Sequence, residues 1–259
     1  MTNQGLTIKD VSFAYAGTPV LHDVSATFAK GRLTAICGPN GCGKSTLLNI
    51  AAAQLTPSRG AVHLDGQPLA QIPPKSRAKQ IAMLPQSPHV PSELKVRDLV
   101  GLGRYAHRTA LSGLSVDDHD AIDAALKSTK LDAYAHRPIA ALSGGQKQRA
   151  WISMTLAQSA PWVLLDEPTN HLDVTHAVET IELLWDLVQA ENRTVVVVLH
   201  DLNLMARFAD DVILMDQGRI IAQNTFAEAV TEKRLSAIYK RSISFGHLNN
   251  RERPFIVVD

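Results

Sequence analysis

The stretch Gly38-Pro39-Asn40-Gly41-Cys42-Gly43-Lys44-Ser45 sets three glycines ahead of a lysine and a hydroxyl, in the spacing G-x-x-x-x-G-K-S, and Thr46 follows. Glycines let a backbone curl until successive N–H groups point inward, which suits phosphate oxygens. A helix starting near Lys44 adds the positive end of its dipole. In that setting Lys44 reaches β- and γ-phosphates and Ser45 ligates Mg²⁺. Farther along, Trp162-Val163-Leu164-Leu165-Asp166-Glu167 is an apolar run ending in two acids. At the carboxyl end of a strand beside a phosphate loop, Asp166 is placed to hold Mg²⁺ through water. Glu167 is then the group to orient or deprotonate an attacking water. A third element, Leu142-Ser143-Gly144-Gly145-Gln146, joins a helix-capping serine to two glycines. By residue types alone it is either a second anion-binding helix terminus or an ordinary cap and turn.

These groups need a scaffold, and the hydrophobic pattern predicts one. Leu6 to Phe13 alternates, with a slip near Lys9-Asp10, and Val20 to Phe28 alternates again. Both read as strands of a half-solvated antiparallel sheet. Leu33–Cys37 is a buried strand leading into the glycine loop, and Ser45 to Gln54 has helical spacing. Ala61–Leu64 and Ile81–Leu84 are short strands. From about residue 87 to 160 the pattern turns helical, with helices over Val96–Leu102, Val116–Ser128 and Gly144–Gln158. Strands and helices then alternate: Trp162–Leu165, His176–Ala190, Thr194–Leu199, Leu202–Phe208 and Val212–Met215. That alternation predicts parallel strands with crossover helices. A hairpin turn at Asp216-Gln217-Gly218-Arg219 leads into Ile220–Gln223, and two short helices and a polar tail follow.

The chain has 259 residues, with 26 Lys and Arg against 25 Asp and Glu, a formal charge of +1. That balance argues against a strongly basic nucleic-acid binder. The longest apolar run, Val195 to Leu199, is far too short to span a bilayer. The start, Met1 to Gly5, shows no cationic region followed by an apolar stretch, so no signal peptide is expected. Cys37 and Cys42 are too few for a disulfide framework. A reduced, cytosolic α/β protein is the expectation. Nine of its ten histidines, His200 set aside, form no metal-binding pattern, so any metal is expected to be Mg²⁺ on oxygen ligands.

Leu142-Ser143-Gly144-Gly145-Gln146, lying after the phosphate loop and before the two acids, resembles the signature of ATP-binding-cassette (ABC) ATPases. Other elements similar to that family follow in its order. The resemblance implies that Tyr15 stacks on adenine; the alternative for its residue type is a core or edge-strand tyrosine. It implies that Gln86, in Leu84-Pro85-Gln86, is the Q-loop glutamine that touches Mg²⁺ and the water. Asn170-His171-Leu172-Asp173 matches the D-loop, which puts Asp173 among the nucleotide-binding residues. His200 matches the switch histidine that contacts the γ-phosphate.

The fold so implied is a RecA-like P-loop NTPase core with an N-terminal antiparallel β-subdomain and an inserted α-helical subdomain. All 259 residues form one cassette. The core is expected at about 1–86 and 160–240, the helical subdomain at 87–159 and a short tail at 241–259. In this family two copies pair head to tail, so that one copy's phosphate loop and the other's signature share each ATP. A separate integral membrane permease carries the substrate, fed by a periplasmic or lipoprotein binding protein, and no nucleic acid is involved. The chain is then expected to sit peripherally on the cytoplasmic face of the inner membrane. The permease groove is expected to use residues 87–100, with Leu94 and Leu99 in its apolar lining.

Three stretches are similar to the subgroup that energises importers of ferric siderophores, haem and cobalamin: Gly38 to Leu48, Gln148 to Met154 with Leu156-Ala157-Gln158, and Leu199-His200-Asp201-Leu202-Asn203. Gly103-Arg104-Tyr105 is similar as well. Ferric siderophore is the first choice of cargo. The alternatives are the soluble ABC proteins that act on ribosomes, because Asn170-His171 stands where Ser-Ala is commoner, and the ATPase of iron–sulfur cluster assembly, which is also a single soluble cassette. Cys42, beside Lys44 and a helix start, is expected to be a reactive thiolate, and Cys37 an inert core residue.

Overall fold

The computed structural model describes residues 5–86, 91, 93–109, 113–170, 172–247 and 253–259. His171 of the D-loop, residues 87–90 and 92 of the expected groove, and the start of the chain lie outside them. Chain order runs β1 (Leu6–Tyr15), β2 (Thr18–Phe28), β3 (Leu33–Cys37), α1 (Lys44–Ala51), β4 (Arg59–Leu64), β5 (Gln67–Pro68), α2 (Pro74–Ala78) and β6 (Ile81–Leu84). The helices α3 (Val96–Leu102), α4 (Val116–Ser128) and α5 (Gly144–Ala157) come next. Then follow β7 (Trp162–Asp166), α6 (Val174–Glu191), β8 (Thr194–Val198), α7 (Leu202–Phe208), β9 (Asp211–Asp216) and β10 (Arg219–Thr225). The chain closes with α8 (Phe226–Ala229), α9 (Glu232–Tyr239), β11 (Ile243–Gly246) and β12 (Phe255–Val258).

β2, β1, β4 and β5 form an antiparallel sheet in that order. The slip in β1 is a bulge: Asp10 has φ 49°, and the register with β2 shifts between Ile8 and Val11. A second sheet has the order β10-β9-β3-β8-β7-β6, parallel except for β10 at its edge. Its central strands are buried on both faces, so they read as continuous apolar runs. Alternation still sorts their side chains. Val195, Val197 and Leu199 join the core under α3 to α7, and Val196 and Val198 join the core shared with α1 and the antiparallel sheet. Among the described residues no helix is long and apolar enough to cross a membrane.

In the helical insertion, the turn after α3 touches α5 so closely that a Cβ on Gly103 would lie 2.2 Å from the Met154 carbonyl. Buried Arg104 donates to Asp118 on α4 at 2.8 Å and to the Ala157 carbonyl ending α5 at 2.7 Å. One guanidinium thus joins three segments, and its carboxylate partner also completes the capping box of Ser115. The expectation fails for Leu99. Leu99 is fully buried and Leu94 packs half-buried on the same core, because Val96, Leu99 and Val100 form the apolar stripe that α3 turns inward. The polar tail is also corrected. Residues 243–246 and 255–258 pair as an antiparallel hairpin that buries Ile243 and Ile256.

Candidate active site

The strand order decides which loops meet. β3, β8, β7 and β6 are neighbours and point the same way, so their carboxyl ends form one edge. Asp166 pairs with Val198, which also sits opposite Ile36, while Leu165 sits opposite Leu84. The ends are level. The segments leaving them carry the phosphate loop, His200, Glu167 and Gln86.

The loop from Gly38 to Gly43 needs its glycines. Gly38 has φ 152°, and a Cβ there would meet the Met215 carbonyl of β9 at 2.1 Å. Gly43 has φ 103°, and a Cβ there would strike Leu21 at 2.7 Å. Lys44 opens α1 with its side chain buried. Its ammonium donates to the carbonyls of Gly38 at 2.8 Å and Pro39 at 2.9 Å. Ser45 donates to Asp166 Oδ1 at 2.9 Å. Burial raises the Asp166 carboxyl above its ordinary range and Glu167 adds repulsion, against the lowering by the Ser45 bond.

Glu167 sits just past β7 with φ 51°, a left-handed conformation that costs about 1–3 kcal/mol for a residue with a side chain. That turn directs its carboxylate to three donors. Gln86 Nε2 and Asn170 Nδ2 donate to Oε2, and His200 Nε2 meets Oε1. With only 8% of Glu167 exposed, these contacts fix the carboxylate rather than compete with solvent for it. A cavity of about 680 Å³ opens here, lined by Asn40, Gly41, Gly43, Lys44, Ser45, Thr46, Gln86, Glu167 and His200, with Val20 and Asn170 added. Asn170 is the functional partner that the sequence reading missed. It stood out only as an unusual D-loop residue, whereas the turn from Glu167 to Asn170 brings the two side chains together.

The other expected residues lie elsewhere. Tyr15 ends β1 with its ring half-exposed and edge-on to Phe13, at 4.8 Å between centroids. Cys42 is corrected. Its side chain turns into the core with 4% exposed, and burial raises its thiol despite Lys44 nearby, so it is no reactive thiolate. Cys37 is inert as expected, its thiol pushed up to about 12 by burial. Ser143 and Gln146 cap α5 reciprocally, at 3.3 Å and 2.9 Å, on a part of the surface outside the chain's own cavity. Gly144 has open space around it, whereas a Cβ on Gly145 would press the His176 ring at 3.1 Å. Asp173 caps α6 through the His176 N–H at 2.9 Å and meets the His176 ring at 2.8 Å. Those contacts with His176 hold the Asp173 carboxyl below its usual range.

The family model described as "ABC transporter" matches residues 21–170, the stretch that carries the loop, the signature and the acid pair. The chain belongs to the ABC transporter family. The petrobactin import ATP-binding protein of Bacillus anthracis is 42% identical, over 92% of this cassette and 87% of that protein. The iron(3+)-hydroxamate import ATP-binding protein of Bacillus subtilis is 40% identical, over 91% and 87%. Among solved structures, an inward-facing ABC transporter assigned to the metal-chelate type covers 98% of the cassette and 97% of that chain, at TM-score 0.86 and 26% identity. A dimeric bacterial ABC transporter cassette covers 85% and 98%, at TM-score 0.76 and 30% identity. The cassette is an ATPase of the RecA-like P-loop class, with the antiparallel sheet and helical insertion described above.

Proposed function

We propose that this cassette hydrolyses MgATP in a head-to-tail dimer and so drives a membrane permease that imports a ferric siderophore. The observation that carries the catalytic part is the gathering of Gln86, Asn170 and His200 on the one carboxylate beside the phosphate loop. Backbone N–H groups of the loop and the Lys44 ammonium bind the β- and γ-phosphates, and Tyr15 stacks on adenine. Two of the three Lys44 donors are anchored on loop carbonyls, which aims the third at a phosphate oxygen. Ser45, Asp166 and Gln86 offer only oxygen donors, a set that fits Mg²⁺ completed by phosphate and water. When bound, that ion would neutralise phosphate charge and favour the ionised form of the Asp166 carboxyl.

Glu167 takes a proton from water as the water's oxygen attacks the γ-phosphorus in line. The bond to the β–γ bridging oxygen breaks, leaving ADP and phosphate. Gln86, Asn170 and His200 hold the base in the one orientation that faces the water. Ser143, Gly144, Gly145, Gln146 and Asp173 serve the ATP held by the second copy. Their position outside the chain's own cavity supports that division.

Ferric siderophore is the cargo because the similar import proteins carry petrobactin and iron(3+)-hydroxamate in their names. The permease docks on the helical insertion. Its exposed apolar residues among those described include Leu102, Val116 and Tyr105, and Tyr105, 81% exposed, lines a second cavity of about 610 Å³ together with Pro74, Ala78 and Ala106. Tyr105→Glu is expected to abolish cellular uptake of radiolabelled ferric siderophore while the purified chain keeps its basal ATPase. Unchanged uptake would remove this surface from the docking site. Uptake of iron that survives deletion of the whole chain would remove the siderophore reading.

A further inference from the structure

α7 starts two residues after His200 and has only seven residues, too few to hold a helix in place unaided. Its own N-cap, Asp201, accepts from the N–H groups of Asn203 at 2.7 Å and Leu204 at 3.1 Å. Leu202, Leu204, Met205, Ala206 and Phe208 bury its inner face, and Arg207 donates to Glu182 of α6 at 2.7 Å. Further bonds at its two ends come from the far end of the sequence. Asn203 Nδ2 donates to the Ile256 carbonyl at 3.1 Å, and the Ile256 N–H returns a bond to Asn203 Oδ1 at 2.7 Å. One amide thus pairs with β12 as a neighbouring strand would. At the other end of α7, Arg253 Nη1 donates to the carbonyl of Ala209 at 2.6 Å and to that of Ala206 at 3.4 Å. A cation on the last carbonyls of a helix is favourable in itself, and these carbonyls have no partner within the helix. The hairpin is in turn tied to α9, where the Ile243 N–H donates to Ser236 Oγ at 3.1 Å.

Both ends of α7 are therefore held by the C-terminal hairpin, and the direction of α7 fixes where the chain turns out of β8. That turn carries His200 to Glu167. The geometry points to Asn203 and Arg253 as positioning residues for ATP hydrolysis, which act through α7 to keep the His200 ring on the Glu167 carboxylate. The inference rests on the proposed roles of Glu167 and His200. Neither residue touches the nucleotide cavity, so their loss changes turnover and leaves binding alone.

The test is a double-mutant cycle on the full chain. Single turnovers are measured with enzyme in excess, so that slow residual hydrolysis is still read, together with the affinity for a fluorescent ATP analogue. Asn203→Ala is expected to slow hydrolysis about tenfold, with affinity within about twofold, since small misplacements of a catalytic group cost rate in this range or more. Asn203→Asp keeps the acceptor for the Ile256 N–H and is expected to fall in between. In a His200→Ala background, Asn203→Ala is expected to change the rate by less than about twofold, because the group it positions is gone. A full tenfold loss in that background would overturn the inference, since the effect would then bypass His200. Unchanged hydrolysis in Asn203→Ala, with faster hydrogen exchange at the Ile256 amide proving the clamp released, would overturn it as well. If Asn203→Ala does not fold, Arg253→Ala runs the same cycle with the same two criteria. If His200→Ala itself leaves hydrolysis unchanged, the failure belongs to the assigned role of His200 rather than to the hairpin.

Discussion

Glu167→Gln is expected to slow ATP hydrolysis by about 10²–10⁴-fold, the usual worth of a general base, while ATP affinity stays within about twofold. The substitution keeps the shape of the side chain, and with it the turn at φ 51° that faces it toward the cavity. What changes is the chemistry of two oxygens. The carboxylate accepts from Gln86, Asn170 and His200 at once. An amide has one accepting oxygen. With that oxygen at the Oε2 position it still accepts from Gln86 and Asn170, and the amide nitrogen faces His200 Nε2, which accepts in its other tautomer. That rearrangement costs little, so the site still forms, but no group remains in reach to take the proton from water. Steady-state phosphate release and equilibrium nucleotide binding, measured on the same preparation, check the prediction. Turnover at the unsubstituted rate would end the assignment of Glu167 as base.

Lys44→Ala acts one step earlier. ATP affinity is expected to fall about 100-fold, because a charge-assisted bond to phosphate contributes about 1.5–3 kcal/mol and each 1.4 kcal/mol is tenfold. The ammonium is buried and anchored on the Gly38 and Pro39 carbonyls, and among the described residues lining the cavity it is the one lysine or arginine. Removing it also leaves those carbonyls short of a donor at the mouth of the phosphate loop. The loop then loses a cross-brace as well as a charge. Titration with ATP followed by calorimetry measures the loss. Affinity within about threefold of the unsubstituted chain would mean that the backbone N–H groups alone carry phosphate recognition. The two substitutions separate the stages of the reaction, since one removes binding and the other removes chemistry from a chain that still binds.

The placements legible in the sequence are those set locally. A glycine loop between a buried strand and a helix start is one such pattern, and the loop lies where β3 and α1 put it. The acids after β7 are similarly local. Where the outcome depends on the direction of a side chain in three dimensions, the sequence was silent or misleading. Cys42 stands next to Gly43 and Lys44, yet its thiol turns into the core, because the loop that aims its N–H groups inward must send that side chain outward. Asn170 reaches Glu167 only because Glu167 takes the left-handed turn. For Leu99 the spacing itself points inward. Val96, Leu99 and Val100 at i, i+3 and i+4 already mark a face that packs inward. The C-terminal hairpin could not be found from pattern, since four-residue strands carry too little alternation, and its partner is the side chain of Asn203 some 50 positions away.

In the proposed dimer each ATP is shared between the phosphate loop of one copy and the signature of another. The most direct test measures the mass of the Glu167→Gln chain by light scattering with and without ATP. The ATP-bound chain is expected to shift from monomer to dimer. Adding Ser143→Arg to it should abolish the dimer and leave ATP binding by the monomer intact, since Ser143 lies outside the chain's own cavity. A dimer that persists with Ser143→Arg, or ATP binding by the monomer that is lost with it, would contradict the shared site.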